Sequence, residues 1–464
     1  MPQTKPTNLP RRRFLQASAA LAALPVGCVK VAVHKDAPPA PRPPLVLNVR
    51  DFGATGDGKT KDTRAIQQAI DRCGVLGGGG VVVPAGDYLT GAIALRSNST
   101  LRLEKDACIL GSPDFADYPV TQVRWEGKWI PGRVALIYAI DASHIAIVGP
   151  GKIVGNPAVG GRPNQQDPLR HPSLIEPIRC TDIHLEGFST SHRLMWSIHP
   201  TNSENILIKD LTIRSTGGNG DGIDIDSCKH VRIEDCDIAT GDDCISIKSG
   251  RGAEATALMQ TSEDILITNC TMADSIFACI GIGSETSGGI RNVRIEHCKF
   301  TGARTFAVYI KSRPGRGAFI EDISVNDVDA SGMTGGFLRF NILNSGIQDQ
   351  NPVPGDEGIP TVRNFRFSNV RITDCPVLVD GVSIHPHKPL DGFTFTNVTG
   401  TAKKGISLAN VRNAEIRGVN VTGLTGPLLS IHDVTGKGLA GAATIDGPKL
   451  PDPVPAPAEP YRLH

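Results

Sequence analysis

The chain is expected to fold as an all-β protein, a single-stranded right-handed parallel β-helix (solenoid) with a short N-terminal capping helix. Three observations predict it. A six-residue pattern recurs along the chain at intervals of 23 to 42 residues, which is the mark of a repeat architecture. One position of that pattern forms a uniformly apolar column. Helix-period runs are scarce after residue 75, while glycine (51 residues) and proline (34 residues) are frequent and aromatics make up only 5%.

Taken in order, residues 1–28 read as an export signal and not as part of the fold. Arg11-Arg12-Arg13-Phe14-Leu15-Gln16 precedes an apolar run, Ala17 to Val26, too short to span a bilayer. This resembles a twin-arginine signal. Leu24-Pro25-Val26-Gly27-Cys28 resembles a lipoprotein cleavage box with proline at a position where leucine is usual, so membrane attachment is expected only through lipidation of Cys28. Periplasmic or extracellular localisation follows. Residues 29–44, rich in proline and alanine, read as a tether, 45–440 as the β-helix domain and 441–464 as a proline-rich tail.

The formal charge of +1 falls to −3 once the four signal cations are removed. That excludes nucleic acid as an expected partner, which would want a strong basic excess. No segment suggests oligomerisation, and a monomer is expected.

The domain opens with Asp51-Phe52-Gly53-Ala54 and Asp62-Thr63. Asp62 or Thr63 can cap a helix carrying Ala65, Ile66, Ala69 and Ile70 on one face, ended by Gly77 to Gly80. Such a helix would protect the open end of a long sheet from edge pairing.

The repeats are Ile183–Phe188, Ile206–Leu211, Val231–Cys236, Ile265–Cys270, Val293–Cys298, Ile323–Val328, Phe365–Val370 and Phe393–Val398. Positions 1, 3 and 6 are apolar, and position 5 is Gly, Asp, Asn or His. Cys236, Cys270 and Cys298 stand where other repeats have Phe, Leu or Val, so they read as small core hydrophobes and buried free thiols. No Cys-x-x-Cys metal spacing occurs, and no metal or cofactor is expected.

A second strand of each turn carries the chemistry: Gly222-Ile-Asp-Ile225, Cys244-Ile-Ser-Ile247, Cys279-Ile-Gly-Ile282 and Ala307-Val-Tyr-Ile310. In register, Asp221, Asp243, Ala278 and Phe306 lie four residues before the last isoleucine, and Asp226, Lys248, Gly283 and Lys311 lie one after. Neighbouring parallel strands sit about 4.8 Å apart, so Asp221, Asp242 and Asp243 crowd one edge. Repelling acids serve stability badly and acid–base chemistry well. Mixed charge along one face suits an acidic sugar polymer, although a solvated charge ladder would use the same residues.

With these residues in view, the sequence resembles glycoside hydrolase family 28, the polygalacturonase and rhamnogalacturonan hydrolase group of the pectin lyase-like superfamily, from about Val49 to about Leu424. Met195-Trp196-Ser197-Ile198-His199-Pro200, Asn219-Gly-Asp221-Gly-Ile-Asp, Gly241-Asp242-Asp243 and Gly283-Ser-Glu285-Thr-Ser-Gly-Gly289 carry the resemblance. It implies inverting hydrolysis of pectin-type α-glycosidic bonds, with Asp242 as general acid and Asp221 and Asp243 activating the attacking water. Two-carboxylate inverting enzymes keep their acid and base roughly 6.5–9.5 Å apart, a gap expected between neighbouring turns. Burial and repulsion should keep Asp242 protonated to a higher pH than an isolated aspartate.

Asn219, His199, Glu285, Tyr309 and Lys311 are the expected substrate-binding residues, His199 with a structural hydrogen bond as the open alternative. Two departures matter. Phe277-Ala278-Cys279 stands where the family has Gly-His-Gly, and Tyr309-Ile310-Lys311 where it has Arg-Ile-Lys. Lys311 can still pair with a uronate, whereas Tyr309 offers one hydrogen bond or a stacking face in place of a bidentate guanidinium. These changes point away from ordinary endo-polygalacturonase, towards rhamnogalacturonan or exo action. Trp125 and Trp129 offer either a sugar platform or a packing plug. A polysaccharide lyase using Lys311 as base and a non-catalytic carbohydrate-binding β-helix are the competing readings.

Overall fold

A computed structural model describes residues 45–192 and 195–454. The expected export signal and tether, and the end of the expected tail, fall outside the described residues. No described helix is long and apolar enough to cross a membrane.

The chain winds as a right-handed parallel β-helix. Three rows of short strands run along it, every pairing within them parallel. One row holds the predicted repeats, and all eight pair in a single register: Ile183 with Ile206, then Val231, Ile265, Val293, Ile323, Phe365 and Phe393. Three earlier turns, Gly79–Val83, Ser99–Leu103 and Ser143–Val148, extend this row towards the N-terminus. A later strand, Ala443–Thr444, carries the pairing past residue 440.

The repeat pattern has a backbone cause. Position 5 is left-handed in all eight repeats, at Gly187, Asp210, Asp235, Asn269, His297, Asp327, Asn369 and Asn397, with φ between 51° and 82°. Glycine meets no Cβ penalty there, and Asn, Asp and His tolerate it best among the others. The residue before position 1 is left-handed too: Asp182, Asn205, His230, Asp264, Asn292, Asp322, Asn364 and Gly392. Each hydrophobic strand is therefore bracketed by two sharp bends.

Position 6 lies buried in every repeat, from Phe188 to Val398, and the phenylalanines Phe337, Phe340, Phe365, Phe367, Phe393 and Phe395 fill the C-terminal turns. The described cysteines are free thiols, all buried except the half-buried Cys108.

The capping helix spans Thr63–Val75 and buries Ala65, Ile66, Ala69, Ile70 and Cys73 against the first turns. Asp62 occupies the N-cap position without capping through its side chain. Its carboxylate instead accepts from the amides of Thr55 (2.8 Å) and Gly56 (2.9 Å), tying down the preceding loop. One element departs from the solenoid: an antiparallel hairpin, Val120–Trp125 with Lys128–Arg133.

Candidate active site

The third row of strands positions the acids. Ile223–Asp226 pairs with Ile245–Lys248, Ile223 facing Ile245 and Asp226 facing Lys248. Ile245 then faces Ile280, which faces Val308, which faces Leu338. Counting back two residues places Asp221, Asp243, Ala278 and Phe306 on successive turns, as the sequence register predicts.

Asp221, Asp242 and Asp243 each present a carboxylate oxygen within 4.8 Å of the others. The three acids thus meet at one edge, as the register of neighbouring turns predicts. Asp242 and Asp243 are consecutive and Asp221 sits only one strand spacing away, so the winding of the solenoid sets the separation.

Asp221 and Asp243 are buried, whereas Asp242 keeps partial exposure. Asp242 accepts from the amides of Asp243 (3.0 Å) and Asn219 (3.3 Å). Asp243 is held on both oxygens, by Lys311 Nζ at 2.6 Å and by the Ala278 amide at 3.1 Å. Gly281 makes that pairing possible, because a Cβ there would collide with Asp243 Oδ2 and come 3.0 Å from Lys311 Nζ.

Lys248 Nζ lies 3.5 Å from Asp221 Oδ2, bonds the buried Asp224 carboxylate and sits 4.3 Å over the Trp196 ring. Burial, then the charges of Asp224, Asp242 and Asp243, raise Asp221 well above the usual carboxylate range against the pull of Lys248. Burial also raises Asp243, opposed by Lys311. Asp221 and Asp243 thus hold their protons to a higher pH than isolated aspartates do.

The three acids form a group that could surround a cation, but a divalent ion would have to displace the two buried ammonium groups of Lys248 and Lys311. Cavities of about 180 and 310 Å³ lie elsewhere, beside His385 and beside Cys180, and neither includes a member of the acid cluster. Of the three acids, Asp242 alone keeps solvent access.

The other predicted residues divide. Asn219 stands at the cluster, its amide on Asp242 and its side-chain oxygen bonded by Arg162. Lys311 is there too. His199 has no exposed surface: its Nδ1 bonds Glu176 Oε1 at 3.0 Å and its Nε2 lies 3.3 Å from Thr201 Oγ1. The structural alternative describes its position, and substrate contact does not.

Glu285 is also buried, without a partner on Oε2. Tyr309 is only 7% exposed, its ring covered by Phe277, stacked at 5.5 Å, and by the Arg339 guanidinium at 5.5 Å. The half-buried Phe277, not Tyr309, is therefore the aromatic surface beside Lys311.

Sequence reasoning missed Arg162, Phe277, Glu176 and the hairpin. Arg162 and the hairpin lie outside any repeat, and Glu176 precedes the first of the eight repeats. The hairpin is strapped down by buried charges. Arg124 Nε bonds Asp226 at 2.9 Å, and Lys128 reaches Asp349 at 3.1 Å. Trp125 lies 5.2 Å from Trp196, which itself touches His199 at 4.4 Å, while Trp129 is 5.4 Å from the Arg124 guanidinium. Both tryptophans are packed against protein groups.

Comparison with known proteins agrees with this geometry. A probable polygalacturonase of Vitis vinifera is 32% identical over 75% of this chain and 73% of its own length. An exo-poly-alpha-D-galacturonosidase of Dickeya chrysanthemi is 26% identical over 82% of this chain and 75% of its own. The crystal structure of a hyperthermoactive exopolygalacturonase from Thermotoga maritima superposes with a TM-score of 0.70 at 29% identity, covering 81% of this chain and 92% of that one. The profile of Glycosyl hydrolases family 28 matches residues 73–345. Sharing that profile and these relatives, the chain belongs to glycosyl hydrolases family 28 and is a hydrolase of O-glycosyl bonds.

Proposed function

We propose that the protein is an exported, exo-acting hydrolase of galacturonan-type pectin that cleaves α-glycosidic bonds with inversion. The observation that carries this reading is the convergence of three carboxylates at one strand edge, two buried and each beside a buried lysine, the third partly exposed. Asp242, the exposed member, is the general acid that protonates the leaving oxygen. Asp221 and Asp243 flank the position of the attacking water and take its proton. Lys311 and Asn219 contact the sugar beside them.

Exo action is supported by the hairpin and by the relatives. Trp125 packs on Trp196, and Trp196 occupies the position equivalent to Asp221 one turn earlier. The hairpin therefore packs on the turn that precedes the acids, and we read it as closing that side to a chain bound for endo cleavage. Two of the similar proteins are named exo-acting. The substrate class rests on those names and on the cations beside the acids. Rhamnogalacturonan remains the second substrate, favoured by the apolar cluster of Ala278, Phe306 and Tyr309 next to the acids.

Digestion of galacturonan and rhamnogalacturonan with time-resolved product sizing tests this reading. Monomeric galacturonic acid from the first turnovers, with little early loss of viscosity, is expected. Early mixtures of long oligomers would show endo action, and an unsaturated product would assign a lyase. Export through Arg11-Arg12-Arg13 is tested by fractionating cells that carry Arg12→Lys/Arg13→Lys.

A further inference from the structure

Lys248 is buried, and neither it nor Asp224 has a substrate role in the reading above. Its ammonium is flanked by Asp221 Oδ2 at 3.5 Å and the Asp224 carboxylate, and capped by the Trp196 ring at 4.3 Å. Asp224 Oδ2 and Asp221 Oδ1 have no hydrogen-bond partner, so the ammonium is the principal group fixing both carboxylates. Asp224 sits between His199 and Ser246 on adjacent turns, and Lys248 faces Asp226 across the strand pair.

We propose that Lys248 and Asp224 are positioning residues for Asp221: Lys248 supplies the counter-charge that favours its ionised carboxylate, and Asp224 limits how strongly it does so. This rests on the reading of Asp221 as a base. One buried ammonium shared by two buried carboxylates stabilises each less than it would stabilise one alone.

The groups facing the trio come from every neighbouring element. Asp242 and Asp243 lie on the following turn, His199 on the preceding one and Glu285 beyond, while Arg124 of the hairpin reaches Asp226. Burial works against the charge on Lys248, but Asp224, Asp221 and Glu285 outweigh it and hold the ammonium well above its ordinary range. It therefore stays cationic wherever Asp221 titrates. Lys311 plays the corresponding part for Asp243 two turns further on.

The two positioning residues carry opposite charges, so their removal must act in opposite directions. In Lys248→Met, Asp221 loses its counter-charge, its proton is held to higher pH, and the acid limb of the kcat/KM profile moves up by about one pH unit or more. In Asp224→Asn, Lys248 is left to Asp221 alone and the acid limb moves down. Lys248→Arg keeps the charge and restores the wild-type limb.

The same titration is read without substrate from the carboxyl ¹³C resonance of Asp221, assigned by its loss in Asp221→Asn, in the full-length protein. This separates failure of the hydrolase reading from failure of the present one. Should Lys248→Met not fold, Asp224→Asn and Lys248→Arg still decide. Limbs or resonances that move the same way in both neutralising variants, or that stay fixed while only kcat falls, overturn the proposal.

Discussion

Asp242 differs from its two neighbours in its access to solvent and in facing backbone amides where they face lysines, and these differences underlie the roles proposed at residue scale. Asp242→Asn is expected to lower kcat by about 10²- to 10⁴-fold while leaving the thermal transition in place, because a partly exposed acid contributes to chemistry and little to packing. Steady-state kinetics beside calorimetry checks this. Gly281→Ala separates the pairing of Asp243 with Lys311 from either side chain. The added methyl intrudes on Asp243 Oδ2 and Lys311 Nζ, so activity falls although neither charged residue has changed.

Glu176 makes a pH prediction. Burial would raise its carboxyl, but the Arg170 charge and the His199 hydrogen bond bring it down to about 2. A carboxylate depressed in the folded state stabilises fully above its unfolded value of about 4.3 and loses that contribution as pH falls towards the folded value. The melting temperature should therefore drop between pH 5 and pH 2. Glu176→Gln should flatten that drop while lowering stability at neutral pH, because Arg170 is left buried without its counter-charge.

At the scale of elements, strands and loops were unequally legible. Asp221, Asp243, Ala278 and Phe306 could be placed on successive turns from sequence because a pleated strand fixes register once its apolar anchors are aligned. The position-5 residues were visible, and their left-handed backbone explains them. Burial by distant loops was not visible. His199, Glu285 and Tyr309 sit on outward-facing register positions or beside them, yet other parts of the chain cover them. No periodicity encodes where the hairpin lands.

Its anchor makes an element-scale prediction. Arg124→Met strands Asp226 without its cation, both side chains being nearly inaccessible, and should cost about 3–5 kcal/mol in chemical denaturation. Arg124→Met with Asp226→Leu should recover much of that loss, since the unpaired charge is removed as well.

At the scale of the whole molecule, the solenoid makes the site by repetition. Successive turns bring residues about 20 to 40 apart in sequence to neighbouring strands about 4.8 Å apart, so an acid and its counter-cation come from different turns. That spacing also compresses the acid cluster. Fold class and the meeting of Asp221, Asp242 and Asp243 were legible because repeats write both into local patterns. The extent of the solenoid was less so, since turns before Ile183 carry weaker copies of the pattern and the last strand lies beyond residue 440.

The compression leaves one question that a single measurement decides. Carboxylate oxygens within 4.8 Å of one another make a close-set group, and among two-carboxylate glycosidases close-set pairs retain configuration while wider-set pairs invert. Two buried bases flanking one water, with a separate exposed acid, nevertheless predict inversion. Proton NMR of the first-formed product from an α-linked galacturonan oligosaccharide should show the β-anomer before mutarotation, and no such signal with Asp242→Asn. First appearance of the α-anomer would contradict the assignment and turn one of the buried aspartates into a nucleophile.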